Sequence, residues 1–307
     1  MDSPPNPSPP PQALAGARAT LEHWAGGDTK PEGFYIPHRY AANLSPGIPD
    51  WLRERFAHAA PAMRTYLEQV FALETKLRTF GTKRAGDPHG PRFDQDWFSG
   101  LDAALAYTMV YTLAPATIVE VGSGHSTRFL ARALEAIDLE TRVLETRELE
   151  PRATKNGDNR RRLISIDPEP RRPIDALCFE VYRSTVSDCP VSLFKGLKAG
   201  DILFIDGSHV LMPGTDVDRL FTGVLPILPP GVVVHIHDIF LPDPYPQAWN
   251  WRNYNEQLLV AALLGTGRFK ILAASHYLRQ YHAAWLDGIY APVQKGAYES
   301  SLWVELT

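Results

Sequence analysis

The chain has 307 residues, 44% of them hydrophobic and 21% charged, with a formal net charge of −4. That balance offers no basic face for nucleic acid, and the sequence has no apolar run of ~18 residues that would predict a membrane-spanning helix. Two cysteines without CxxC spacing, Cys178 and Cys189, make a disulfide framework or a structural zinc site unexpected.

In chain order, residues 1–12 hold six prolines and read as a disordered, polyproline-like tail. That start has neither a basic n-region nor an apolar h-region, so no signal peptide is expected and a cytoplasmic location is. Residues 13–90 read as an N-terminal, partly helical segment. Within it APAMRTYLEQVFALETKLRT (60–79) places Met63, Tyr66, Leu67, Val70, Phe71 and Leu77 on one helical stripe, with Pro61 suited to the first helical position. GDPHGPR (86–92) is a loop. From residue 91 to 307 the pattern becomes strand, helix, strand, helix.

Leu101–Leu113 predicts an apolar helix, TIVEV (117–121) a strand and His125–Ile137 a helix. LISID (163–167), DILFID (201–206) and GVVVHIHD (231–238) are further apolar runs, each ending in an acid. Helix-like stretches lie at Pro173–Phe179, Val191–Leu197, Asp216–Leu228 and Asn255–Leu264, the last stopped by Gly265. FKILAAS (269–275) and SLWVEL (301–306) supply two late strands. This alternation predicts an α/β fold: a doubly wound, mostly parallel Rossmann-like sheet with helices on both faces.

The turn after the first sheet strand reads ExGxGxS, with Glu120, Gly122, Gly124 and Ser126. A dinucleotide fingerprint would place a third glycine at 127, where Thr127 stands. A carboxylate two residues before the first glycine suits a cationic amine and would crowd a pyrophosphate. This points to S-adenosylmethionine, which carries an amine, a sulfonium and a ribose. The alternative is a turn that needs glycine for packing alone.

EVGSGHST, FIDGSH and HIHDIF, in that order, resemble the class I S-adenosylmethionine-dependent methyltransferases, in particular a bacterial branch whose fourth-strand motif reads IDGSH. The resemblance covers residues 93–275. It implies a seven-stranded sheet whose last strand is antiparallel, a role SLWVEL can fill. It also implies that Glu120, Gly122, Ser123 and Gly124 cradle the methionine part of the cofactor, with Ser126 nearby. A ribose-binding acid is expected about 20 residues beyond the turn. Asp167 lies further on, past the charged stretch 145–162, and is preferred because LISID is the cleaner strand; Glu145 is its rival. The adenine contact falls near Val186–Asp188.

Chemistry is expected at the ends of the fourth and fifth strands, from Asp206, His209 and His237, with Ser208, His235 and Asp238 beside them. His209 or His237 serves as general base, while His235, deeper in its strand, has a core-packing alternative. Asp206 also falls to the cofactor. Relatives that use a divalent ion hold it with acids at these two strand ends, which makes Asp206 and Asp238 candidate ligands for magnesium or manganese; the paired DD of some relatives is here His-Asp. Phe93, Trp97 and Phe98 either cover the cofactor or pack a helix. The aromatic loop LPDPYPQAWNWRNYNEQ, with Tyr245, Trp249 and Trp251, is expected to shape the acceptor pocket. The reading is a methyltransferase for a small-molecule acceptor at oxygen. A nicotinamide oxidoreductase and a non-catalytic interaction domain are the alternatives.

Overall fold

The computed structural model describes residues 47–81, 87, 89–98, 100–147, 161–293 and 296–307. The proline-rich tail, the N-terminal segment as far as residue 46, and residues 148–160 of the charged stretch lie outside the described residues.

Seven strands form one sheet: β1 (Thr117–Val121), β2 (Arg162–Ile166), β3 (Glu180–Tyr182), β4 (Ile202–Ile205), β5 (Val233–Ile236), β6 (Phe269–Ala274) and β7 (Leu302–Leu306). Their order is β3-β2-β1-β4-β5-β7-β6, and β7 runs antiparallel to both of its neighbours. Every residue of β1, β4 and β5 is buried, which is why these strands read as mostly apolar runs, interrupted by Glu120 in β1 and His235 in β5. Strand order reverses between β1 and β4, so the crevice for a ligand opens beyond their carboxyl ends. The fold is the Rossmann-like α/β sheet expected.

Six helices matter for the site. They are α1 (Asp50–Ala72), α2 (Gly100–Leu113), α3 (His125–Arg147), α4 (Val191–Lys195), α5 (Glu256–Gly265) and α6 (Ser275–Tyr281). Helix α1 packs on β6 and on α2, and α2 in turn packs on α3. Helix α2 is buried from Gly100 to Val110, as an apolar helix enclosed on all sides should be.

Five expectations need correcting. Pro61 does not start a helix but lies inside α1, which begins at Asp50. Its buried stripe Leu52, Phe56, Ala60, Met63, Leu67 and Val70 runs unbroken past the proline, so packing overrides the cost of the lost hydrogen bond. Phe71, placed on that stripe, is instead 55% exposed. Residues 173–179 form a turn, closed by Leu177 N–H donating to the Ile174 carbonyl at 2.8 Å, and lead into the edge strand β3. Gly265 is the last residue of α5 rather than its stop; the left-handed glycine is Gly267 (φ 80°). Helix α3 continues through TRVLET, so Glu145 sits in a helix and cannot end a second strand.

Candidate active site

The carboxyl ends of β1, β2, β4 and β5 open into one cavity of about 1080 Å³. Its first wall is the turn after β1. Gly122 (φ 80°) passes so close to β4 that a Cβ there would lie 1.8 Å from the Asp206 carbonyl oxygen. Gly124 faces the opposite situation: a Cβ would meet nothing within 4 Å, and this residue lines the cavity together with Ser123 and Ser126. Open space before a glycine backbone is the form a ligand cradle takes.

Asp167, directly after β2, accepts from the Ser123 backbone N–H at 2.7 Å and from its hydroxyl at 3.0 Å, both on Oδ2. Its other oxygen takes the Glu169 N–H at 2.8 Å. The carboxylate thus sits on the cavity wall beside the turn, a placement that suits a ribose diol. Val186 and Ser187 line the next wall. Replacing Asp167 with alanine should weaken S-adenosylmethionine by about 1.5–3 kcal/mol, as for loss of a hydrogen bond to a charged acceptor, while Glu145→Ala should leave affinity unchanged. Calorimetric titration of both variants checks the ranking; the opposite order sinks the assignment.

Glu120 is not on that wall. It is fully buried behind the turn, with one oxygen accepting from the Ser126 hydroxyl and the other from the Thr127 hydroxyl, both at 2.7 Å. Burial pushes its carboxyl up to about 8, against the pull of those two hydroxyls. The folded state therefore keeps a proton that the unfolded chain gives up near pH 4.5. Stability falls as pH rises between those values and levels off above them. Glu120→Gln should remove that pH dependence and leave the protein more stable than wild type at pH 8, with cofactor affinity kept. Thermal melts across pH test the first point. A collapse of cofactor affinity in this variant would return the acid to the amine of the cofactor.

The opposite wall carries the titratable cluster. His209 and Asp238 both adopt left-handed backbone, at φ 60° and 55°, a strained state that non-glycine residues keep where the surroundings impose it. At His209 the reason is visible. Its carbonyl accepts the backbone N–H groups of Asn255 (3.1 Å) and Glu256 (3.2 Å) at the start of α5, and its ring turns inward. Nδ1 lies 2.9 Å from Glu256 Oε2, and Nε2 lies 3.4 Å from both Asp206 and Asp238. His237 is arranged in the same way. Its Nδ1 faces Asp206 at 3.3 Å and Asp238 at 3.5 Å, and its Nε2 lies 3.4 Å from Asp102.

Burial alone would lower both imidazoles. The surrounding carboxylates outweigh it and hold His209 and His237 well above the ordinary range. Burial likewise pushes the Asp206 carboxyl up, but the charges and hydrogen bonds of His237 and His209 hold it far below the usual carboxylate range. Asp206 is the member of the cluster most open to the cavity, with 29% of its side chain exposed. The expected strand-end residues Asp206, His209, His237 and Asp238 are thus brought together.

His235 is not part of this group. It is stacked on Phe204 (3.7 Å between centroids) and tilted against Trp303 (4.6 Å), and its Nε2 pairs with the Ser301 hydroxyl at 2.9 Å. Burial holds it well below the normal range, so it is a neutral core residue.

Two acids were missed from sequence. Asp102, in the first turn of α2, accepts from the backbone N–H groups of Ser300 and Ser301 and from the Ser275 hydroxyl. Glu256 opens α5. Each is a lone fully buried acid at the head of an apolar helix, and that pattern was the available signal.

Among the described residues no group of three or more His, Cys, Asp or Glu side chains is placed to hold a metal ion. Asp206 and Asp238 each lie beside imidazole nitrogens of both His209 (3.4 Å to each) and His237 (3.3 and 3.5 Å), so the carboxylates are already partnered. As arranged, these side chains do not fit a metal cage. The S-adenosylmethionine donor set fits better: an open glycine backbone, a carboxylate at the end of β2, and Trp97 on the rim with the Arg171 guanidinium 4.2 Å over its ring. Phe98 and Phe93 pack inward, Phe98 against the His237 ring at 5.2 Å and Phe93 against Phe129 at 5.4 Å. From the aromatic loop, Trp249 and Tyr254 reach the cavity and Trp251 is 41% exposed. No described helix is long and apolar enough to cross a membrane.

Residues 119–239 match a family model described as a methyltransferase domain. Among solved structures the chain is similar to the O-methyltransferase from Bacillus cereus in complex with SAH, at 13% identity over 79% of this chain and 91% of that one, with a TM-score of 0.36. It is also similar to a protein described as a methyltransferase from Thermobifida fusca, at 12% identity over 68% of this chain and 83% of that one, with a TM-score of 0.34. A search of curated proteins finds no match. The domain match favours the methyltransferase reading over the oxidoreductase and the non-catalytic ones. The matched residues run from within β1 to just past the end of β5, and the sheet topology and the cavity at its switch point agree with a methyltransferase domain there.

Proposed function

We propose that the protein transfers a methyl group to an oxygen of a small-molecule acceptor, with His209 as the general base. The observation that carries this is the Glu256–His209 pair. A buried carboxylate fixes Nδ1 at 2.9 Å and leaves Nε2 directed to the cavity side, beside Asp206 and Asp238. A carboxylate behind an imidazole sets its tautomer and steadies the cation it becomes.

The cofactor, when bound, supplies an electrophilic methyl group on a sulfonium. Ser123, Gly124 and Asp167 are the residues that would hold it, and Asp206 offers negative charge toward its cationic part. Neutral His209 takes the proton of the acceptor hydroxyl on Nε2, and Asp206 and Asp238 stabilise the resulting imidazolium. His237, shielded by Phe98, holds Asp206 in place. Methyl transfer is otherwise a matter of in-line placement in a dry pocket.

The test is incubation with methyl-labelled S-adenosylmethionine and a panel of phenols, sugars and amines, with products read by mass spectrometry. Label on a hydroxyl oxygen supports the proposal, and label only on nitrogen defeats the oxygen assignment. Chelator treatment should leave the rate unchanged; a loss restored by magnesium would put a metal back into the site.

A further inference from the structure

Arg252 is a cation without a counter-ion among the described residues. Its Nη1 donates to the Tyr254 hydroxyl at 3.0 Å, and its buried Nε–H has no hydrogen-bond partner. Aromatic rings surround it instead. The guanidinium lies 4.2 Å from the centroid of Trp249, 5.3 Å from Trp251 and 5.4 Å from Tyr254. A guanidinium held this way has its donor fork fixed before a ligand arrives, and that fork matches the two oxygens of a carboxylate or phosphate.

Its position gives the fork a purpose. Arg252, Trp249, Tyr254 and Tyr298 line the same cavity as the base. The Tyr254 ring lies 4.7 Å from the His209 ring, so one aromatic residue separates the unpaired cation from the proton acceptor. Asp206 and Asp238 repel an anion from the strand ends themselves. A ligand with its hydroxyl at His209 can place an oxyanion at Arg252, one aromatic residue away; Arg171 and Arg172 also line the cavity and are the competing cations. Trp249 and Tyr298, 5.2 Å apart between centroids and nearly perpendicular, add an apolar wall that suits a ring between those two ends.

We propose that Arg252 is the anion site of the methyl acceptor, and that the acceptor is a ring-bearing hydroxy compound carrying a carboxylate or another oxyanion. This rests on the methyl-acceptor reading of the cavity. It adds a specificity-determining residue and a substrate class.

The probes are benzoate and its neutral isostere benzyl alcohol, titrated calorimetrically into the full chain loaded with S-adenosylhomocysteine. Benzoate should bind the wild type at least about tenfold more tightly, as a charge-assisted bidentate pair predicts. Arg252→Gln should bring benzoate down to the level of benzyl alcohol, with melting temperature and S-adenosylhomocysteine affinity unchanged. Phenyl phosphate in the same titration separates a phosphate from a carboxylate preference. Equal binding of the two probes by wild type, a preference that survives Arg252→Gln, or one lost in Arg171→Gln instead would each overturn the proposal. The readout is binding, not turnover. A protein that prefers benzoate through Arg252 but transfers no methyl group keeps the anion site and loses the methyl-transfer reading; one that methylates acceptors with no such preference does the reverse.

Discussion

Replacing His209 with alanine is expected to lower turnover by about 100- to 10,000-fold, the range for loss of a general base, with S-adenosylmethionine affinity kept. The pH profile distinguishes this role from a structural one. Asp238, Asp206 and Glu256 together outweigh burial and raise the His209 imidazole well above its ordinary value, so the ring gives up its proton at higher pH than a free imidazole. Wild-type turnover should therefore climb on the alkaline side, and His209→Ala should flatten that limb. Glu256→Gln removes one of the groups that raise His209 and should move the limb to lower pH. The same elevation has a cost in stability. A raised imidazole stabilises the fold below the unfolded value of about 6.5, and that contribution is lost as pH rises through the folded value. Melting temperature should fall as activity rises, and fall less in the double variant His209→Ala, His237→Ala. Full turnover in that double variant would place the proton transfer elsewhere in the cavity.

Much of this was legible in the sequence, for a physical reason. A parallel strand buried on both faces is mostly apolar, so β1, β2, β4 and β5 appeared as runs within a residue or two of their observed bounds. Residues at the carboxyl ends of such strands meet in space, which is why Asp206, His209, His237 and Asp238 could be grouped without coordinates. The misses share a different cause. Strand β3 has three residues, none fully buried, and an edge strand that short leaves no apolar signature. Asp102 and Glu256 reach the cluster from helices, Asp102 from 104 positions before Asp206 (206 − 102) and Glu256 from 47 positions after His209 (256 − 209). Nothing in local spacing announces such meetings. Glu120 was read from its neighbours in sequence as a ligand group, whereas the strand pleat turns it inward to the hydroxyls of α3. Alternation along a strand decides which side of the wall an acid serves.

The two glycines of the turn should fail in different ways, and that difference tests the cradle. Gly122→Ala places a Cβ 1.8 Å from the backbone oxygen of Asp206 at φ 80°. Backbone cannot swing aside as a flexible side chain can, so β1 and β4 must separate. Overpacking together with left-handed strain should cost about 3–5 kcal/mol, a large part of the ~5–15 kcal/mol that holds a domain folded. The expected result is a much lower melting temperature or insoluble protein, with or without ligand. Gly124→Val meets no neighbour within 4 Å and has no left-handed backbone to strain, so its melting temperature without ligand should stay close to that of wild type. Its branched side chain fills the space in front of the turn, and calorimetry should find no binding of S-adenosylmethionine. Near-normal cofactor affinity in Gly124→Val would show that the ligand does not use this cradle. A Gly122→Ala protein as stable as wild type would show that β1 and β4 do not cross as closely as the 1.8 Å approach requires.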